Sequence, residues 1–365
     1  MKPLIIHTES SLGWGGQEIR VFKELVGMQD RGYATALLAP CRSTLYQRAA
    51  AAGVAVHHVP FASKLDLVSW IRLIRLMRLL CPVVLNVHSS EDSWLAGAVG
   101  RLWGNCLVIR TRHVSTPVGS LFSYSRLTDH LLTTSTAIRD SFIQQGMAPE
   151  KVTAMPTGIE MERFCFSGEG RKRVRQALTL GEEHFLIGNL CVLRSWKGLD
   201  FFLETAALLP EPFRFILVGD GPQRQRLEEK AHNLGLGGRI IFAGHQEEAV
   251  DYFSAMDLLF YTSYASEGVP QSLLQGVASG LPVVAVRLPS IVETLQGVQK
   301  VRWVEYGDGP VAAAILAAAA GGETDWQSRQ PPPLEWQQRH SLAGMLDSLD
   351  ALYTRLMPVL KQMRQ

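Results

Sequence analysis

The sequence predicts an α/β protein made of two doubly wound halves, and three observations predict it. Short apolar runs bounded by turn residues alternate with longer amphipathic segments, the pattern of a parallel sheet covered by helices. The alternation runs through residue 134 and starts again near residue 186. At 365 residues the chain is also too long for one comfortable hydrophobic core.

In the first half the predicted strands are Leu4–His7, Ala34–Ala39, Val54–Val59, Val83–His88, Leu107–Arg110 and His130–Thr134. Amphipathic segments fit between them, for example Gln17–Arg31 and Ser135–Gln145. The second half reads Leu186–Val192, Arg214–Val218, Ile240–Ala243, Leu258–Tyr261, Pro282–Val286 and Gln299–Val304. Between the halves, Met155–Arg175 holds PTGIEMERF and the charged run GEGRKRVRQ, read as linker and entry to the second domain. GGETDWQSRQPPPLEW is a polar, proline-rich break, and Ser341–Arg364 reads as a terminal amphipathic helix.

Composition excludes several classes. With 47% hydrophobic and 19% charged residues, the chain is globular and neither disordered nor fibrous. A net charge of +2 gives no case for nucleic-acid binding. The five cysteines (Cys41, Cys81, Cys106, Cys165 and Cys191) are scattered without a Cys-x-x-Cys. That argues against a disulfide framework or zinc site and for a reducing cytoplasm. The opening MKPLIIHTESSLGWGG has too short an apolar run for a signal peptide and reads as a first strand. No window holds about eighteen uninterrupted apolar residues, so no helix is expected to span a bilayer.

Ligands of open parallel sheets bind at the carboxyl ends of strands, against helix N-termini, so the informative residues follow strands. After the first strand, Gly13, Gly15 and Gly16 precede an amphipathic helix. They either let a phosphate approach the backbone or form an ordinary strand-to-helix turn. In VLRSWKGLDFFLE, Arg194 and Lys197 are either a diphosphate grip or a solvated charge pair. LVGDGPQRQRLEEKA is a strand, a tight turn and a charged helix. Gly244 and His245 follow a later strand, where backbone can read a nucleobase edge, and His245 can equally be a surface histidine. In the first half His88 and the Arg112–His113 pair follow strands; a histidine there either hydrogen-bonds a sugar hydroxyl or phosphate or, as most histidines do, takes no part in binding. SEGVPQSLLQGVASGLPVVAV carries the most specific signal. Glu267 lies in a loop before Pro270, which suits a first helical position. The amides of Gly268, Val269 and Gln271 would share its cleft, and Gln275 follows in the helix.

Together GGQE, PTGIEMERF, RSWKG, VGDGP and SEGVPQSLLQGVASGLPVVAV resemble the retaining glycosyltransferases of family 4. The resemblance implies the GT-B fold, two Rossmann-like domains facing across a cleft. Residues 1–160 would bind the acceptor, residues 161–340 the nucleotide-sugar donor, and the helix 341–365 would return to the first domain. It implies that Arg194 and Lys197 grip the donor diphosphate, that Gly15 and Gly16 meet the distal phosphate, and that His113 lies near the donor sugar. Glu267 would contact sugar hydroxyls as the first glutamate of the family's Glu-x7-Glu motif, with Gly268, Val269 and Pro270 beside it. Gln275 stands where the second glutamate would take the ribose hydroxyls. Other departures are the close spacing of the basic pair, Val292 before Glu293 in LPSIVE, and Thr157 in the family's Pro-Asn-Gly sequence. The forms LRSWKG, RTRH and EGVPQ are similar to those of a bacterial branch that builds lipopolysaccharide and other surface glycans.

The implied reaction moves a sugar from a nucleoside-diphosphate donor to a hydroxyl of a glycan or glycolipid acceptor, with retention. No metal or separate cofactor is expected, because fixed cations and backbone dipoles stabilise the departing phosphate and no Asp-x-Asp is placed to hold one. The competing readings are a sugar-nucleotide 2-epimerase and a non-catalytic nucleotide-sugar-binding subunit. A separate feature is LVSWIRLIRLMRLLCP, where Arg72, Arg75 and Arg78 share one broad helix face with Leu, Ile and Met elsewhere. That is either a sheet-covering helix with a basic outer face or a lipid-facing stripe. The protein is thus expected in the cytoplasm, free or peripheral at the inner face of the membrane.

Overall fold

A computed structural model describes residues 3–265, 267–321 and 328–362, with side chains to residue 357. Part of the polar break, 322–327, and the last residues of the predicted terminal segment, 363–365, lie outside the described residues. The chain divides into two compact units, Met1–Gly158 with Ala343–Gln365, and Ile159–Leu342.

The first unit holds a seven-stranded, all-parallel sheet: β1 (Leu4–Thr8), β2 (Ala34–Ala39), β3 (Ala55–His58), β4 (Val84–Val87), β5 (Leu107–Arg112), β6 (His130–Thr133) and β7 (Val152–Ala154). Its spatial order is β3-β2-β1-β4-β5-β6-β7. The order in which strands are added reverses between β1 and β4, and such a switch point opens a crevice at the strand ends. Strand β7 has no counterpart in the sequence reading. It is three residues long, and only Val152 in it is fully buried, so its periodicity is too short to register.

The second unit holds β8 (Phe185–Leu190), β9 (Phe213–Val218), β10 (Ile240–Gly244), β11 (Leu258–Tyr261), β12 (Val283–Val286) and β13 (Val301–Val304), ordered β10-β9-β8-β11-β12-β13. Side chains alternate across a strand, and the two cores of this unit sort accordingly. Ile187, Phe215, Phe260 and Val284 pack on one face. Their chain neighbours Leu186, Ile216, Leu259 and Val283 pack on the other. Burial on both faces is why these strands read as continuous apolar runs.

The linker prediction changes in detail. The charged run GEGRKRVRQ is the helix Gly168–Ala177, capped by Ser167, whose side chain accepts from Gly170 N. The terminal helix Leu342–Gln362 belongs, from Ala343 onward, to the first unit. It is held there by Arg31 on Asp347 at 2.6 Å, Tyr33 on Asp350, and Leu346 against Gly27. A Cβ on Gly27 would meet Leu346 Cδ1 at 2.3 Å, so the missing side chain is what lets the helices approach.

The helix Leu67–Leu80 differs from the sequence reading. Ser69, Leu73 and Met77 turn inward, Leu73 and Met77 joining the core beside Phe61 and Leu95. Its outer face is not simply basic. Leu67, Val68, Ile71, Ile74 and Leu79 are exposed alongside Arg75 and Arg78.

Candidate functional site

In the second unit, the segments after β8, β9, β10 and β11 are stitched together by backbone. Gly219 N donates to Gly244 O at 2.8 Å, Leu193 N to Asp220 O at 3.0 Å, and Tyr264 N to Trp196 O at 3.1 Å. Gly198 has φ +65°, and a Cβ there would lie 2.0 Å from Thr262 O. Thr262 Oγ1 in turn donates to Lys197 O at 2.9 Å. The left-handed glycine therefore fixes where the preceding lysine points.

That lysine meets Glu267. Lys197 Nζ lies 2.5 Å from Glu267 Oε1, both side chains largely buried. Burial opposes the charge on Lys197, but Tyr261, Glu267 and Cys191 outweigh it and hold its pKa above the ordinary lysine range. Burial pushes the Cys191 thiol up to about 12, against the pull of Lys197. Burial and Glu267 raise the Tyr261 phenol in the same way. The result is a single buried cation held charged beside a carboxylate, at the carboxyl ends of β8 and β11. Such a cation can stabilise an incoming phosphate, provided that phosphate displaces or joins the carboxylate.

The remaining predicted residues of this unit sit around the same strand ends. Arg194 is exposed, its guanidinium 5.2 Å from the Trp196 ring and without an ion pair among the described residues. Gly268, Val269 and Pro270 are buried, and the helix begins at Gln271. Pro270 is therefore the cap residue (φ −76°, ψ 120°) and not the first helical one. Among the described residues, the N–H groups of Gly268 and Val269, just before the cap Pro270, have no hydrogen-bond partner, and with the first turn of the helix they can receive an anion. Gln275 is half-buried and makes no side-chain hydrogen bond among the described residues. Gly244, at φ +70°, ends β10, and His245 beyond it is exposed.

In the first unit, His113 ends a row of three imidazoles. His7 Nδ1 is 2.9 Å from His88 Nε2, and His88 Nδ1 is 2.9 Å from His113 Nε2. Burial holds all three below the usual histidine range, His7 at about 4, so the row is neutral at pH 7. Glu24 Oε2 lies 3.8 Å from His7 Nδ1, and Arg20 Nε holds Glu24 at 2.7 Å. A carboxylate beside Nδ1 favours a proton there. His7 then donates to His88, His88 to His113, and His113 is left with an Nδ1–H free to donate. His7, Glu24 and His88 also bring three possible metal-ligand atoms within 4.8 Å of one another. The Arg20 charge on Glu24 favours the hydrogen-bonded row over a cation at that point.

Beside this row, at the β1–β4 switch point, lie two fully buried carboxyl groups. Glu9 accepts from Ser11 N at 2.8 Å and Gln17 Nε2 at 2.6 Å, and from Ser89 Oγ. Asp92 accepts from Thr8 Oγ1 at 2.5 Å and His88 N at 3.0 Å. Burial, reinforced by Asp92, pushes Glu9 up to about 8. Burial outweighs the hydrogen bonds to Asp92 and takes it to about 6.

Gly15 and Gly16 start the helix Gly16–Asp30, but the Gly15 N–H donates to Glu18 Oε2 at 2.9 Å. A phosphate at Gly15 must compete with that carboxylate. Arg112 is half-buried and bound to Thr116 O at 2.8 Å.

The sequence reading missed His7, Glu9, Arg20, Glu24, Asp92, Cys191 and Tyr261. The signal for some was present: a histidine inside the apolar run LIIHT, and Arg20 with Glu24 one helical turn apart on a buried face. A polar residue within an otherwise apolar strand or stripe needs a partner, and here the partners are one another.

Known proteins match both halves of the chain. A model described as Glycosyltransferase Family 4 matches residues 14–163, and one described as Glycosyl transferases group 1 matches residues 183–320. EpsF of Bacillus subtilis is 31% identical over 146 residues, 39% of this chain and 38% of EpsF. The lipopolysaccharide core biosynthesis glycosyltransferase LpsE of Rhizobium meliloti is 36% identical over 91 residues, 25% of this chain and 26% of LpsE. The matched stretches thus span less than half the length of these relatives. Among solved structures, Anabaena HepE in complex with UDP-glucose has a TM-score of 0.87 at 17% identity, over 97% of this chain and 100% of HepE. That is a likeness of fold, shared by both parallel sheets. On these matches, the chain is a glycosyltransferase built of a family 4 domain followed by a group 1 domain, and it has the GT-B fold.

Proposed function

We propose that the protein transfers a glycosyl group from a nucleoside-diphosphate sugar to a hydroxyl of a lipopolysaccharide or other cell-surface glycan, with retention at the anomeric carbon. The observation that carries this reading is the buried Lys197–Glu267 pair at the ends of β8 and β11, next to the open amides of Gly268 and Val269. It is supported by the family, by LpsE, whose name places it in lipopolysaccharide core biosynthesis, and by HepE, solved with UDP-glucose.

In this reading the bond between the anomeric carbon and the phosphate oxygen breaks while the acceptor oxygen bonds to that carbon. The departing phosphate takes the acceptor proton. Lys197 and Arg194 stabilise the charge that develops on the phosphate, so the reaction is proposed to run without a metal. Glu267 orients the sugar hydroxyls, with Gly268, Val269 and Pro270 shaping the backbone beside it. Gln275 takes the ribose, and Gly244 and His245 lie at the base. From the first unit, His113 donates its Nδ1–H to the donor sugar, and Gly15 and Gly16 are assigned to the distal phosphate. The acceptor is a glycan or glycolipid presented at the cytoplasmic side of the membrane.

The test is incubation with UDP-, GDP- and ADP-sugars, with and without cell-envelope glycan acceptors, followed by NMR of the product's anomeric configuration. Acceptor-dependent transfer with retained configuration is expected. Isomerisation of the donor with no acceptor, or nucleotide binding with no turnover under any acceptor, would overturn the reading.

A further inference from the structure

The helix Leu67–Leu80 has a surface that neither the sheet it covers nor the reaction above uses. Its inward side chains, Leu73 and Met77, are fully buried in the first unit. On the opposite side Leu67 is 69% exposed, Val68 52% and Leu79 76%, and Leu65 just before the helix is 90% exposed. Arg75 and Arg78 stand exposed among them, with Arg72 half-buried at the margin. The helix itself contains no acidic residue. Asp66 precedes it as the cap and is occupied, its side chain accepting from Val68 N and Ser69 N.

Next to that face is a groove of about 350 Å³ between β3, the edge strand of the sheet, and the helix. It is lined by Val56, His57, His58, Arg72, Arg75 and Leu76. Arg72 Nη1 donates to His58 O at 3.2 Å, which holds the guanidinium at the groove. Arg75 carries no ion pair among the described residues.

An ordinary solvated helix face is polar, and an ordinary protein interface is depleted of charge at its centre. This face is neither, because large aliphatic side chains and arginines alternate along it. That combination fits the boundary of an anionic bilayer. The aliphatic groups enter the acyl region while the arginine stems lie along it and their guanidinium groups reach the lipid phosphates. With three arginines and no acid on the helix, the charge is complementary to an anionic headgroup layer.

We propose that the Leu67–Leu80 face is a docking surface for an anionic phospholipid bilayer, with the His57–Arg72–Arg75 groove receiving a headgroup phosphate. This gives the membrane-side acceptor reading a particular surface. Its test uses neither donor nor acceptor, so failure of one leaves the other standing.

The experiment is flotation of the full-length protein with vesicles of phosphatidylcholine alone or mixed with phosphatidylglycerol. The variants are Arg75→Glu with Arg78→Glu, and Leu67→Ser with Leu79→Ser. All four positions are exposed, and circular dichroism and melting of each variant confirm the fold. Binding to the anionic vesicles is expected, weakening with salt and by about tenfold or more in the arginine variant. The leucine variant is expected to lose binding while keeping its charge. Equal binding to both vesicle types, or binding indifferent to both variants, would overturn the proposal. So would competition by inorganic phosphate with no vesicle binding, which would mark a soluble-anion site. Self-association removed by the same variants, with no vesicle binding, would overturn it in favour of a contact between copies.

Discussion

Lys197 Nζ and Glu267 Oε1 stand 2.5 Å apart, so each is the buried counter-charge of the other. An anion that binds at Lys197 has to share or displace that carboxylate. The pair therefore couples stability to binding, because removing either partner leaves an uncompensated buried charge.

Replacing Lys197 with Ala is expected to destabilise the protein by about 3–5 kcal/mol through the stranded Glu267. It is also expected to lower turnover by about 100-fold or more through the lost phosphate charge. The double variant Lys197→Met, Glu267→Gln separates the two effects. Melting temperature should recover while turnover stays low. A double variant with near-normal turnover would remove Lys197 from the reaction.

Glu9 is expected to make stability fall as pH rises. Its folded pKa of about 8 lies above the ordinary glutamate value of 4.5. The stabilising preference for the protonated form is therefore complete below pH 4.5 and lost as pH climbs through 8. Between pH 5 and 8 the wild type should lose on the order of a few kcal/mol relative to Glu9→Gln. Denaturant melts of both proteins at pH 5, 6.5 and 8 measure this. A difference that does not change with pH would mean Glu9 is already ionised in the folded state.

The imidazole row is expected to fix the tautomer of His113. Nitrogen-15 shifts should show the proton on Nδ1 in His7, His88 and His113, with no imidazolium at pH 6. In His88→Phe, the Nε2 of His113 loses its partner and both tautomers should appear. Turnover should fall, with KM for the donor changed less than kcat. An Nε2–H tautomer at His113 in the wild type would reverse the donor assignment.

Gln275 makes no internal side-chain hydrogen bond among the described residues and is half-buried, so its amide is available to a ligand. Gln275→Glu is expected to change nucleotide affinity by about tenfold if the side chain holds two ribose hydroxyls. Isothermal titration with UDP, GDP and ADP reads this directly. Unchanged affinity for all three would place the ribose elsewhere.

Most of the strands were legible because a buried parallel strand is a continuous apolar run, and such runs survive in the sequence whatever they pack against. Ala34–Ala39 and Leu258–Tyr261 coincide with β2 and β11, and the other predicted strands agree to within a residue or two. The positions of Glu267, Lys197 and His113 beyond strand ends were legible because the loops that follow parallel strands are short and carry distinctive residues. Gly198 was legible as a glycine, but only its φ and the distance to Thr262 show that no other residue fits there.

The sequence by itself determined two parallel α/β units, a break before the terminal helix, and the residue types at each strand end. The tertiary structure alone decided which of those residues meet. Lys197 and Glu267 come together because β8 and β11 are adjacent in the sheet although seventy positions apart in the chain. His7, His88 and His113 line up because His7 lies in β1 while His88 and His113 follow the neighbouring strands β4 and β5. The outer face of Leu67–Leu80 shows its apolar character only once the inward turn of Leu73 and Met77 is known. Periodicity is a local property written along the chain. Partnership and exposure depend on strand adjacency and helix rotation, which the local pattern does not encode.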